Sequence, residues 1–111
     1  MERIETRFWW GTTITVLPRD FCGSVQVDLT DGYLDGYIGS LCVHPEARNQ
    51  GHGNALLAEA ERIIKEHGRN DATLYVEKDS WLVDWYKRLG YEIVENTSGH
   101  EQYYTMGKKL N

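Results

Sequence analysis

Cysteine and proline are scarce in this chain, each occurring twice in 111 residues. Cys22 and Cys42 are too few and too widely placed for a disulfide framework, so the fold has to be held by burial. With so little proline and no biased tract, polyproline or disordered segments have no compositional basis. Long apolar runs are missing too. The chain opens Met1-Glu2-Arg3-Ile4-Glu5-Thr6-Arg7, and its longest aromatic run is Phe8-Trp9-Trp10. Neither has the length of a signal peptide or a membrane span, so a cytoplasmic location is expected. Clustered positive charge is absent beyond adjacent pairs such as Lys108-Lys109. The net charge is −5, from 17 acidic and 12 basic residues. Nucleic acid is therefore not an expected partner, because phosphate binding is driven by grouped Lys and Arg. An acidic surface serves solubility and would also steer cationic amines. What remains is a chain that is 41% apolar and 12% aromatic. Its size suits one domain over residues 1–111 with one core.

The chemistry is concentrated in Cys42-Val43-His44-Pro45-Glu46-Ala47-Arg48-Asn49-Gln50-Gly51-His52-Gly53-Asn54-Ala55-Leu56-Leu57. There an extended apolar run feeds a glycine-punctuated loop that opens into an amphipathic helix. The first N–H groups of a helix have no intrahelical acceptor and carry the positive end of the macrodipole, so a phosphate placed there is both hydrogen-bonded and charge-compensated. Gly51 and Gly53 allow positive φ and close approach of the backbone, and Arg48 adds a mobile charge. A P-loop would need Gly-Lys-Ser/Thr where Gly53-Asn54-Ala55 stands. A dinucleotide fingerprint would need a third glycine in place of Leu56, although Glu77 lies at a strand end where a ribose could sit.

Around this loop the patterning gives an α/β order. Ile4 to Leu17, broken at Gly11 and closed by Pro18, reads as one bent strand or two short ones. Ser24-Val25-Gln26-Val27-Asp28-Leu29 alternates and is half-buried, with Asp31-Gly32 as a hairpin turn. Leu34 to Val43 is apolar on both faces and reads as a central strand in which Cys42 is buried. Leu56, Leu57, Ala60, Ile63 and Ile64 form one helical stripe, with Glu61/Lys65 and Arg62/Glu66 as four-apart pairs and Gly68 as a cap. Ala72 to Glu77 is a strand parallel to the central one through a right-handed crossover. A second helix starts near Asp79 or Ser80 and runs to Leu89, with Leu82, Trp85, Tyr86 and Leu89 on one side. Ile93 to Glu95 and Gln102 to Lys108 complete the set around Asn96-Thr97-Ser98-Gly99.

The run Arg48-Asn49-Gln50-Gly51-His52-Gly53 resembles the Arg/Gln-x-x-Gly-x-Gly/Ala loop of the GNAT-type N-acetyltransferase superfamily. Asp79 to Tyr91 is similar to that family's Asn-x-x-Ala-x-x-x-Tyr-x-x-x-Gly-Phe segment, with Tyr86, Gly90 and Tyr91 on the pattern, Asp79 in place of Asn and Leu82 in place of Ala. The resemblance implies a GNAT-like fold: a mixed, mostly antiparallel sheet, two main helices and a central parallel strand-helix-strand crossover. It also implies acetyl-CoA as cosubstrate, with an acetyl group moved to a primary amine of a small molecule or peptide by direct attack on the thioester. A non-catalytic acyl-CoA-binding regulatory domain is the alternative.

Such a reaction needs a proton acceptor, an oxyanion donor and an acid for the thiolate. The resemblance places the oxyanion donor at the backbone N–H of Leu41 and strand-like contacts to the pantetheine arm at Leu41, Cys42 and Val43. It places the pyrophosphate at Arg48, Asn49, Gln50, Gly51, His52, Gly53 and Asn54, a further cofactor contact at Asp79, and the acid at Tyr86. Tyr86 also belongs to the apolar stripe of its helix, where packing is the simpler role. The family position of a basic glutamate falls on Tyr37. Asp35, two residues earlier, could act through water, but it reads more simply as a strand-end residue.

No metal is expected, since Cys42, His44 and His52 lack the paired spacings of a zinc site and His52 is expected to face solvent. Trp9, Trp10, Trp81 and Trp85 are expected in the core, with Trp81 and Trp85 as candidates for an acyl pocket. The family's usual N-terminal helices have no counterpart ahead of the first strand here. A homodimer through the first strands or the Tyr103-Tyr104 strand is expected to cover the acceptor side.

Overall fold

The structure, a computed structural model, describes residues 1–20, 22–44, 51–94 and 102–111. The elements are β1 (Glu2–Phe8), β2 (Gly11–Leu17), β3 (Gly23–Thr30), β4 (Asp35–Val43), α1 (His52–Glu66), β5 (Asp71–Glu77), α2 (Leu82–Arg88), β6 (Glu92–Val94) and β7 (Tyr103–Lys109). They form one seven-stranded sheet in the order β1-β2-β3-β4-β5-β7-β6. Every pairing is antiparallel except β4 with β5. The α/β architecture expected from the sequence is therefore the one present. Ile4 to Leu17 resolves into two strands, because Trp9 and Trp10 form the two-residue turn of a hairpin in which Phe8 faces Gly11. The turn Asn96-Thr97-Ser98-Gly99 and Glu95 lie outside the described residues.

The core forms where α1 lies across the sheet. Its stripe of Leu56, Leu57, Ala60, Ile63 and Ile64 is buried together with Ile14, Val16, Val25, Val27, Leu29 and Ile38 from β2, β3 and β4. Each such side chain contributes about 1.5–3 kcal/mol by leaving water. The helix can approach β4 because Gly36 has no side chain. A Cβ there would lie 2.5 Å from Cγ1 of Ile64.

The two charged pairs expected along α1 do not form. Glu61 instead accepts the Tyr91 hydroxyl at 2.9 Å and the Lys108 ammonium at 3.1 Å, while Glu66 pairs with Arg3 at 2.7 Å and Arg62 with Glu59. A four-apart pair on a solvated helix is worth only about 0.2–0.5 kcal/mol. Partners from elsewhere in the fold displace it at Glu61 and Glu66, and Glu59 of the helix itself does so at Arg62. Gly68 stands just past the helix in the left-handed region, φ 72°, and Arg69 N–H closes the end on the Ile64 carbonyl at 3.1 Å.

Strand β4 departs from the expectation of burial on both faces. Opposite Ser24 and Gln26 the register slips from Cys42 to Gly39, and Ser40 takes φ 54°, so one extra residue is accommodated in β4. The bulge inverts the alternation. Gly36 and Ile38 are buried before it, whereas after it Leu41 and Val43 pack against the core and Ser40 and Cys42 are exposed. Cys42 is thus a surface residue and Cys22 the buried cysteine. Trp9 is 93% and Trp81 71% exposed, so these two tryptophans are not core residues. Trp10 is half-buried and stacks on Phe8 with ring centroids 5.4 Å apart, and Trp85 is half-buried against the core.

Candidate active site

The parallel joint between β4 and β5 is short. It pairs Asp35 with Asp71, Gly36 with Ala72 and Tyr37 with Thr73, and then stops. Both strands continue, β4 to Val43 and β5 to Glu77, without a further ladder among the described residues. Three features favour the parting. The bulge at Ser40 turns β4 away, the rings of Tyr37 and Tyr75 meet between the strands with centroids 5.4 Å apart, and α2 delivers Tyr86 into the gap.

The gap is a cavity of about 410 Å³, within the range of small-molecule sites. Leu41 lies on its β4 wall with Gly39 and Ser40, and Tyr86 stands opposite with Leu82 and Ser80. Glu77 and Tyr103 complete its mouth, Glu77 being the acidic residue among the described lining.

Tyr86 is 7% exposed. Its ring sits edge-on between Trp85 and Tyr91, at centroid distances of 5.0 and 5.6 Å. Burial, and secondarily Tyr37, pushes its phenol above the ordinary tyrosine value. The hydroxyl therefore holds its proton at neutral pH, the state a general acid requires. Tyr37 is raised too, by burial and then by Tyr75 and Asp28. The packed and cavity-facing descriptions of Tyr86 are both true of one side chain. The ring fills core space and the residue also lines the cavity.

The second part of the site is the start of α1. Gly51 takes φ 82° at the N-cap, no side chain caps the first turn, and no acidic residue lies within it. The N–H groups of His52, Gly53 and Asn54 thus open a helix with no acidic residue in its own first turn. Gly53 is helical and needs no positive φ. A Cβ there would sit in ordinary contact with Trp85, whose indole lies 3.6 Å from that position, and with Val43 Cγ2 at 3.9 Å. Val43, Gly53 and Trp85 therefore join the helix start to the far end of β4.

Arg48, Asn49 and Gln50 lie outside the described residues. Asp79 is exposed in the turn after β5, and the side chain that meets the start of α2 is Ser80, whose Oγ accepts the Leu82 N–H at 3.1 Å. Asp35 sits at the paired end of the joint, where Thr73 donates to its carboxylate at 2.8 Å and Arg69 donates to its carbonyl at 2.8 Å. The imidazole of His52 does not simply face solvent, since its Nδ1 lies 3.2 Å from Cys22 Sγ. Neither Trp81 nor Trp85 lines the described cavity wall. Tyr75, Ser80 and Tyr103 do, and sequence reading missed them because their role depends on where β5 and β4 part.

Residues 7–93 match the acetyltransferase (GNAT) domain family. Solved structures share the fold. The PaiA N-acetyltransferase from Thermoplasma acidophilum, solved in complex with coenzyme A, is 21% identical with a TM-score of 0.74, over 88% of this chain and 60% of that one. Nourseothricin acetyltransferase is 22% identical with a TM-score of 0.73, over 93% and 67%. An IAA acetyltransferase from Bacillus cereus is 16% identical with a TM-score of 0.72, over 91% and 79%. The chain thus spans from 60% to 79% of the length of these proteins. A family match over most of the sequence, on a sheet that parts between β4 and β5 beside a glycine-opened helix, means that this chain belongs to the GNAT acetyltransferase family.

Proposed function

We propose that this protein transfers the acetyl group of acetyl-CoA to a primary amine, and that the parting of β4 from β5 is where the transfer occurs. The observation that carries this reading is the cavity with Leu41 on one wall and Tyr86 on the other. Past Tyr37 the ladder to β5 stops among the described residues, and in the proposed function an extended ligand arm runs along that side of β4. On this reading Leu41, Cys42 and Val43 bind the arm in strand fashion, and the Leu41 N–H donates to the thioester oxygen as charge develops there. Such a donor is worth about 3 kcal/mol. The uncapped N–H groups at Gly51 to Asn54, with Arg48, Asn49 and Gln50 preceding them, take the pyrophosphate, and Asp79 lies toward the cofactor side. Tyr86 hands its proton to the departing sulfur.

Glu77 at the cavity mouth supplies attraction for the ammonium form of an incoming amine. The reaction asks for no metal, and turnover should persist after chelation. Among the described residues no helix is long and apolar enough to cross a membrane, and we place the enzyme in the cytoplasm.

The acceptor side is open along β1, an edge strand exposed throughout. It carries Ile4 and Phe8 and leads into Trp9, all exposed. Contact through β1 in a homodimer covers this surface. The alternative is contact through Tyr103-Tyr104, at the end of β7 away from the rungs that Thr105, Met106 and Gly107 form with β6. Light scattering at micromolar concentration giving the mass of one chain would refute the dimer.

The function is tested by following free thiol release from acetyl-CoA with a panel of small-molecule and peptide amines. Amine-dependent release is the expected result. Calorimetric binding of acetyl-CoA with no release for any amine would instead establish the non-catalytic acyl-CoA-binding regulatory domain.

A further inference from the structure

Away from the cavity, the structure brings together three side chains from two separate segments. Asp20 and Cys22 belong to the connection between β2 and β3, and His52 is the first residue of α1. One ligand atom from each lies within 4.8 Å of the other two, and Cys22 Sγ is 3.2 Å from His52 Nδ1. The spacing along the chain conceals the cluster, since Cys22 and His52 are thirty positions apart. The nearer cysteine in sequence, Cys42, is exposed on β4.

Two chemistries use Cys, His and Asp at this range. In a nucleophilic relay the carboxylate orients the histidine, which in turn activates the thiol. Here Asp20 Oδ1 instead accepts the N–H of Cys22 itself, at 3.2 Å, and among the described residues His52 Nδ1 meets the Cys22 sulfur and not the carboxylate. A metal centre needs only that the three donors converge. Thiolate, imidazole and carboxylate are donors of tetrahedral zinc, whose bonds of about 2.0–2.3 Å set donors roughly 3.3–3.8 Å apart, and the Cys22–His52 pair at 3.2 Å comes close to that. The thiolate and carboxylate together also balance a divalent charge, which matters beside the positive end of a helix.

The cysteine is held in place by its backbone. Its carbonyl accepts the His44 N–H at 2.7 Å, and its N–H is engaged by Asp20. The Asp20 carboxylate also lies against the Cys22 thiol, whose proton a metal would replace.

We propose that Asp20, Cys22 and His52 form a zinc site with a fourth, solvent position, tying the β2–β3 connection to the first turn of α1. Binding displaces the thiol proton to solvent and leaves a thiolate on the metal. The site is structural or regulatory and stands apart from the cavity. Because its readout uses no acetyl-CoA, its failure is separate from any failure of the acyl-transfer reading.

The test is titration of the metal-free full chain with cobalt(II), followed by displacement with zinc. The expected result is one equivalent bound, with a thiolate-to-cobalt charge-transfer band and the intense visible bands of tetrahedral coordination, all removed by zinc. Cys22→Ala should abolish the charge-transfer band, whereas Cys42→Ala should keep it. Should Cys22→Ala fail to fold, Asp20→Asn at its exposed position serves instead, with affinity expected to fall at least tenfold. An absent band in the unaltered chain, its survival in Cys22→Ala, its loss in Cys42→Ala, or an Asp20→Asn affinity equal to that of the unaltered chain would each overturn the site.

Discussion

The same two strands are closed at one end and open at the other. Over Asp35 to Tyr37, β4 is laddered to β5, covered by α1 through the Gly36–Ile64 contact, and tied by Thr73 and Arg69 to Asp35. From Gly39 on it has lost that ladder, and Gly39, Ser40 and Leu41 line a cavity with Tyr86 across it. The difference teaches where each half does its work. The closed half is bound into the sheet on both sides, whereas the open half keeps its pairing to β3 and has no ladder to β5 among the described residues.

Damage to the two halves should therefore separate activity from stability. In the open half, Tyr86→Phe removes one hydroxyl and little volume. It should lower the maximal rate by about a hundredfold while leaving the melting temperature and the acetyl-CoA affinity nearly unchanged. Unaltered turnover with chemistry rate-limiting would make Tyr86 a packing residue only. In the closed half, Gly36→Ala drives a methyl group into Ile64. Overpacking of this kind costs about 1–3 kcal/mol, so denaturant unfolding should move while the rate per folded molecule is kept.

The bulge is the hinge between the halves. A β-branched residue at the positive φ of Ser40 is strained by about 1–2 kcal/mol, so Ser40→Val should destabilise the chain and raise KM for acetyl-CoA together. Ser40→Gly, which accepts that geometry, should do neither. If Ser40→Val were as stable and active as the parent, the bulge would not be what holds the strands apart.

Much of this frame was legible in the sequence, and the parts that were not share a cause. The stripe from Leu56 to Ile64 and the alternation in β3 announce themselves because burial on one face imposes a period. The positions of Cys42 and Trp81 did not, because each depends on a partner or a distortion distant in sequence. Nothing in Gly39-Ser40-Leu41 marks a bulge that inverts the strand beyond it. Glu61 looked like a neighbour of Lys65 until the sheet offered Tyr91 and Lys108. For the candidate site, the segments around Gly51 and Tyr86 were readable as motifs. The cavity wall contributed by Tyr75, Ser80 and Tyr103 was not, since it exists only where the ladder ends.

The smallest expected effect is on the alkaline side. Burial raises the phenols of Tyr37, Tyr86 and Tyr91 above the ordinary value of 10.0, with Glu61 adding to the rise at Tyr91. Above about pH 10 the unfolded chain releases these protons while the folded one retains them. Their contribution to stability is thus full below that pH and is lost as pH rises toward the folded values. Denaturant midpoints should hold steady from neutrality to about pH 9 and fall beyond about pH 10. A midpoint that rose there would contradict the burial of these rings.

The most direct measurement is an amide NMR titration of the full chain with acetyl-CoA, because it reads both halves of β4 at once. The account predicts large shifts at Leu41, Cys42 and Val43 and at Gly51 to Asn54, with Asp35, Gly36 and Tyr37 nearly still. Shifts spread equally over both halves of the strand, or centred elsewhere on the sheet, would contradict it.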